Sequence, residues 1–150
     1  MSKRRITSAM AHNWYAQGLT TLAAITPMAS VALGRPVTEA ELERILRKEL
    51  PLEAAYQRKI IAWLKDEYPH ALVRKITSGI YSEGGFPDIL AIIDGRYYGF
   101  EVKRPFIGEP SKLQLQTIKK IREAGGRAGL VCFPYEAQQI IEGGQNHDSG

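Results

Sequence analysis

Gly85-Phe86-Pro87-Asp88-Ile89-Leu90-Ala91-Ile92-Ile93-Asp94-Gly95-Arg96-Tyr97-Tyr98-Gly99-Phe100-Glu101-Val102-Lys103 is the stretch that decides the fold. Two apolar runs, residues 88–93 and 96–104, flank Asp94-Gly95, a strong short-range signal for a tight β-hairpin turn. With a two-residue turn Ile93 pairs with Arg96, and counting outward places Asp88 opposite Glu101. Side chains opposed in this way lie on one face, with Cβ atoms about 4.5–5.5 Å apart. Two carboxylates so close, with Leu90, Ile92 and Phe100 expected around them, repel each other and are poorly solvated. A divalent cation resolves the conflict, because carboxylate oxygens are the ligands Mg²⁺ prefers. Strand alternation puts Lys103 on the same face as Glu101, where an ammonium can orient water or offset charge on a phosphate under attack. The plainer alternative is a cross-strand ion pair; three such residues on one face after a Gly-x-Pro bend favour catalysis.

Moving outward, the pattern predicts helix, three strands, helix, strand from Pro51 onward. Pro51 suits a helix start, and a helix ending before Pro69 carries Glu53, Tyr56, Gln57, Ile60, Ile61 and Leu64. Glu53 thereby puts an acid on a stripe otherwise bound for the core, where a charge needs a partner. Residues 71–77 read as a strand and residues 78–86 as a Gly/Ser-rich loop. Residues 111–124 have helical spacing and stop at Gly125-Gly126. Gln114 falls on the Ile118/Ile121 side of that helix, but Ser111-Lys112-Leu113-Gln114 also reads as a capping box. An apolar strand at 128–133 and a closing helix at 135–141 follow, then a frayed tail at 143–150.

Ahead of Pro51 the chain divides near Arg35-Pro36. Thr38 and Glu41 form a capping-box pattern that opens a helix through Leu42, Ile45, Leu46 and Leu50. The first segment is Ala/Thr-rich and lacks strong periodicity. Lys3, Arg4 and Arg5 followed by the small apolar residues 19–33 imitate a secretory signal, but His12, Asn13 and Gln17 interrupt the approach and Pro27 cuts the apolar run. A short amphipathic helix or a loosely ordered arm is the expectation there.

The 150 residues, 44% of them apolar and 24% charged, can bury a core. No apolar run reaches the roughly 18 residues of a membrane span. The lone Cys132 excludes an internal disulfide and a cysteine zinc cluster, and fits a reducing compartment. A net charge of +4 and a pI near 9.2 permit a polyanionic partner. Arg74, Lys75, Arg104, Lys119 and Lys120 are candidates for contacting its phosphates. Walker, dinucleotide-binding and Ser/His/Asp signatures are missing.

Glu53, Gly85-Phe86-Pro87-Asp88, Glu101-Val102-Lys103 and Gln114 ahead of Gly125-Gly126 resemble the VRR-NUC group of PD-(D/E)xK nucleases, over roughly residues 52–133. The resemblance implies an α/β fold: a nuclease core with a central mixed sheet flanked by helices, here at residues 51–142; residues 1–50 match nothing in it and are expected to form an N-terminal helical extension of unassigned function. It implies Mg²⁺- or Mn²⁺-dependent phosphodiester hydrolysis, with Asp88, Glu101 and the Val102 carbonyl as metal ligands. Lys103 matches the catalytic lysine, Glu53 the helix acid of the metal site, and Gln114 the glutamine of the following helix. Stand-alone members are mostly phage or bacterial, often homodimeric, and act on branched or flapped DNA. The expectation is therefore a deoxyribonuclease in the cytoplasm of a bacterium or phage-infected host, in replication or repair. The alternatives are a non-cleaving nucleic-acid-binding module on the same fold, or an exported protein of unrelated function.

Overall fold

The computed structural model describes residues 4–77 and 84–143; Lys3, most of the expected loop at 78–86 and the tail beyond Gly143 lie outside them. The chain forms two compact units: residues 1–52 with 104–108, and residues 53–103 with 109–150.

In the first unit, α1 (Ser8–Ala16), α2 (Leu22–Leu33) and α3 (Glu39–Glu49) enclose a core of Ile6, Trp14, Ile25, Leu42, Leu46 and Ile107. The expected short helix or loose arm is thus replaced by two helices. Their caps explain this: the Thr7 and Thr21 hydroxyls accept from Met10 N and Ala24 N, and Gly34 ends α2 at φ 72°. Pro27 lies inside α2 rather than ending it, and in the same turn the Thr26 hydroxyl donates to the Leu22 carbonyl. Arg35-Pro36 is only the link between α2 and α3, which pack together in this unit. Thr38 caps α3 as expected, accepting from Glu41 N, while the Glu41 carboxylate pairs with Arg35 at 2.7 Å.

The return of residues 104–108 to this unit has a polar cause. Arg104 was expected at the end of a strand and near DNA. Its guanidinium instead donates to the carbonyls of Leu46, Arg47, Leu50 and Pro51, gathering carbonyls at and just beyond the end of α3. Phe106 then meets Tyr15 edge to face at 5.6 Å.

The second unit holds α4 (Glu53–Glu67), β1 (Leu72–Lys75), β2 (Ile89–Ile93), β3 (Arg96–Val102), α5 (Lys112–Glu123), β4 (Arg127–Val131) and α6 (Pro134–Ile141). One four-stranded sheet runs β1-β2-β3-β4; β3 and β4 are parallel and the other pairs antiparallel. This is the expected mixed sheet flanked by helices. Asp94 and Gly95 take φ 50° and 81°, the left-handed values a two-residue hairpin demands, and fix the register Ile93↔Arg96 through Ile89↔Phe100. Ile89, Ala91, Ile93, Phe100 and Val131 form one sheet face and pack with Tyr56, Ile60 and Leu64 of α4 and Ile140 of α6. The other face carries Tyr97, Gly99 and Glu101. Here α5 covers it, since the bare Gly126 just beyond α5 admits both Ile121 and the Tyr97 ring. Among the described residues no helix is long and apolar enough to cross a membrane.

Candidate active site

The hairpin register carries Asp88 to the position facing Glu101, one step beyond the Ile89↔Phe100 pair. Asp88 Oδ2 accepts from Val102 N at 2.8 Å. This bond ties the acid at the start of β2 to the end of β3. In an extended strand the N–H and C=O of one residue point to the same edge, so the Val102 carbonyl also faces the Asp88 side.

Glu101 is the unusual residue. It is 1% exposed, and neither carboxylate oxygen has a hydrogen-bond partner among the described residues. Lys103 Nζ stands 3.6 Å from Oε2, an ion pair longer than a good hydrogen bond. Burial, and then the neighbouring Asp88 carboxyl, push the Glu101 carboxyl up to about 8; Lys103 pulls the other way, and Glu53 adds to the rise. A buried carboxylate with one long ion pair and no hydrogen bond among the described residues is poorly compensated, so this site is built at the expense of stability.

Glu53, the first residue of α4, is close enough for its charge to act on Glu101. Among the described residues no three His, Cys, Asp or Glu side chains converge into one metal-binding group, so Glu53 does not complete a three-acid cluster with Asp88 and Glu101. The donors that do come together are two carboxylates and one backbone carbonyl. That set fits a hard cation of the Mg²⁺ kind, which takes one or two carboxylates and keeps the rest of its shell for water and phosphate oxygens.

One expectation needs correction, and two candidate residues are held by other partners. Phe100 does not flank the acids; it lies on the opposite face, fully buried with the α4 side of the core. Gln114 closes the capping box: its Oε1 accepts from Ser111 N at 2.8 Å while its own N–H donates to Ser111 Oγ at 3.1 Å. That use of the carbonyl oxygen follows from the three-residue spacing and leaves Gln114 a helix cap. Arg104 is held by the α3 carbonyls as described. Of the other basic candidates, Arg74 pairs with Leu90 and so shares the Asp88 face, whereas Lys75 pairs with Ile89 and faces away. Lys119 pairs with Glu123 at 3.9 Å, and Lys120 lines a groove beside α5.

Sequence reading passed over Tyr97. Its hydroxyl is buried on the Glu101 face with no hydrogen-bond partner among the described residues, and burial pushes its phenol up. Alternation from Glu101 was the available signal. Gly99 between them leaves room for Pro87 and for the Tyr97 hydroxyl, which a Cβ would meet at 2.8 and 3.1 Å.

The raised Glu101 carboxyl has a consequence for stability. An unfolded glutamate ionises near its ordinary value of 4.5, so between about 4.5 and 8 the folded protein holds a proton that the unfolded chain has released. Stability from this group is complete at the acid end and is lost as pH rises through about 8. Thermal unfolding in EDTA is expected to show a loss on the order of 2–4 kcal/mol over that window, absent from Glu101→Gln. A flat profile for the parent protein would mean Glu101 is solvated.

No family model matches the chain, and no curated protein does. Among solved structures, the chain is similar to one described as a "VRR_NUC domain", at 26% identity and a TM-score of 0.47, over 60% of this chain and 94% of that one.

Proposed function

We propose that the second unit is a divalent-metal-dependent nuclease that hydrolyses phosphodiester bonds in DNA, branched or flapped DNA among its substrates. One observation carries this reading: a buried glutamate with neither oxygen hydrogen-bonded among the described residues, opposite a second carboxylate and 3.6 Å from a lysine. A folded chain keeps so costly an arrangement for a ligand that neutralises it.

Asp88 and Glu101, with the Val102 carbonyl, would hold Mg²⁺ or Mn²⁺, and Glu53 would act on that shell through water. When bound, the ion supplies a lowered water pKa and offsets charge on the leaving oxygen. Lys103, 15% exposed, keeps its ammonium at the mouth of the site, where it can hold a water or a phosphate oxygen by charge-assisted hydrogen bonds. Asp88 is oriented by its bond from Val102 N, so its second oxygen stays available. In hydrolysis the water oxygen bonds to phosphorus as the bond to the leaving sugar oxygen breaks; one water proton passes to solvent, and the leaving oxygen takes a proton from solvent to become a hydroxyl.

The test is cleavage of linear, flapped and four-way DNA with and without Mg²⁺. Metal-dependent product is the expected result; binding without product on all three would favour the non-cleaving module.

Phosphate contacts fall to basic groups set apart from the acids, and Arg74 and Lys120 are the placed candidates. Replacing both by Ala is expected to flatten the slope of log affinity against log salt by about 1–2, while Lys119→Ala leaves it unchanged. An unaltered slope in the double variant would move the DNA track elsewhere.

A further inference from the structure

A groove of about 480 Å³ lies beside the candidate site, lined by Gly84, Phe86, Leu113, Thr117, Lys120, Ile121 and Ala124. It belongs to the second unit, and its position follows from the sheet. The segment before β2 lies over the Glu101 face, because Pro87 packs on Gly99 there, and α5 covers the same face. Phe86 is two residues from Asp88, a reach of about 7 Å at most along extended chain.

Two features show that the groove is built. Gly85 sits at φ 91°, and a Cβ there would lie 2.6 Å from Leu113 Cγ and 2.9 Å from Thr117 Oγ1. Only a glycine lets this loop close onto α5, and the closure holds Phe86 at the rim. Phe86 nevertheless stays 51% exposed, and Leu113 across the groove 49%. Two large apolar side chains left in water beside a charged site call for a flat, apolar occupant. Among the described residues Lys120 is the only charged one in the lining, and it is cationic.

We propose that this groove seats one unpaired nucleobase of single-stranded DNA, stacked on Phe86, with Lys120 on the adjoining phosphate. The size falls in the range of small-ligand pockets, and an aromatic face with a neighbouring lysine is how single strands are held without regard to sequence. This deepens the nuclease reading and rests on it: the base in the groove adjoins the phosphate presented to Asp88 and Glu101. Substrates with an unpaired nucleotide beside the cut, such as flaps and frayed ends, are then preferred over continuous duplex. Unstacking a paired base costs a few kcal/mol, which an already single strand is spared.

The experiment measures fluorescence anisotropy of a labelled thymidine oligonucleotide, and of its duplex with the complement, in EDTA. The proteins are the full chain, Phe86→Ala and Phe86→Trp. Phe86→Ala is expected to weaken single-strand binding about 5- to 100-fold and leave duplex binding unchanged, and Phe86→Trp to restore it. Equal loss on both DNAs, no loss on either, or a Phe86-dependent self-association without DNA would overturn the proposal. Unchanged thermal unfolding of Phe86→Ala separates these outcomes from misfolding. Because metal-free binding is the readout, the two ideas fail separately. Cleavage with no Phe86 effect removes the base site alone. Phe86-dependent single-strand binding without metal-dependent cleavage of any DNA removes the nuclease reading.

Discussion

Asp88→Asn and Glu101→Gln are each expected to abolish Mg²⁺-dependent cleavage while the protein stays folded. Each change removes one negative charge from the metal shell at nearly constant shape, halving the carboxylate charge that draws the cation out of water. The effects on stability differ between the two. Glu101 is buried with no hydrogen bond to either oxygen, so its neutral amide replacement relieves both desolvation and repulsion from Asp88. A gain of about 2 kcal/mol without metal at alkaline pH corresponds to a rise of roughly 4–8 °C in Tm. Asp88→Asn keeps an oxygen that can accept from Val102 N, so its Tm changes less. Near-normal turnover by either variant at modest Mg²⁺ would remove the metal assignment.

Lys103→Ala is expected to separate chemistry from binding. The ammonium lies 3.6 Å from Glu101, close enough to compete with a cation for the carboxylate. Its removal leaves metal affinity equal or stronger in alkaline buffer, where Glu101 is ionised. The single-turnover rate at saturating metal and DNA is expected to fall by about 10²–10³, the usual loss of one well-placed electrostatic donor. Collapse of metal affinity together with activity would make Lys103 a structural counter-ion.

How far the sequence was legible follows from how local each determinant is. The hairpin is specified by Asp94-Gly95 and period-two alternation, and the register that opposes Asp88 and Glu101 follows by counting. The Ser111 and Thr38 caps are equally local. Small residues hid the first unit: α1 and α2 bury Ala11, Trp14, Ile25 and Ala29, so alanines supply much of the buried stripe and blur its period. The return of residues 104–108 depends on Arg104 finding carbonyls more than fifty positions earlier, which no local pattern encodes. Phe100 was placed on the wrong face although strict alternation from Glu101 puts it with the core. Phe86 was read only as part of the Gly85-Phe86-Pro87-Asp88 motif, because its own meaning lies in exposure, and exposure depends on how Gly85 brings the loop against α5.

The central claim is that Asp88 and Glu101 form a divalent-cation site, and calorimetric titration of Mg²⁺ and Mn²⁺ into the DNA-free protein measures it directly. The account predicts saturable binding by the parent chain, stronger as pH rises toward about 8, and its loss in Glu101→Gln. Equal heats from the parent protein and Glu101→Gln, or none from the parent at any pH, would contradict it.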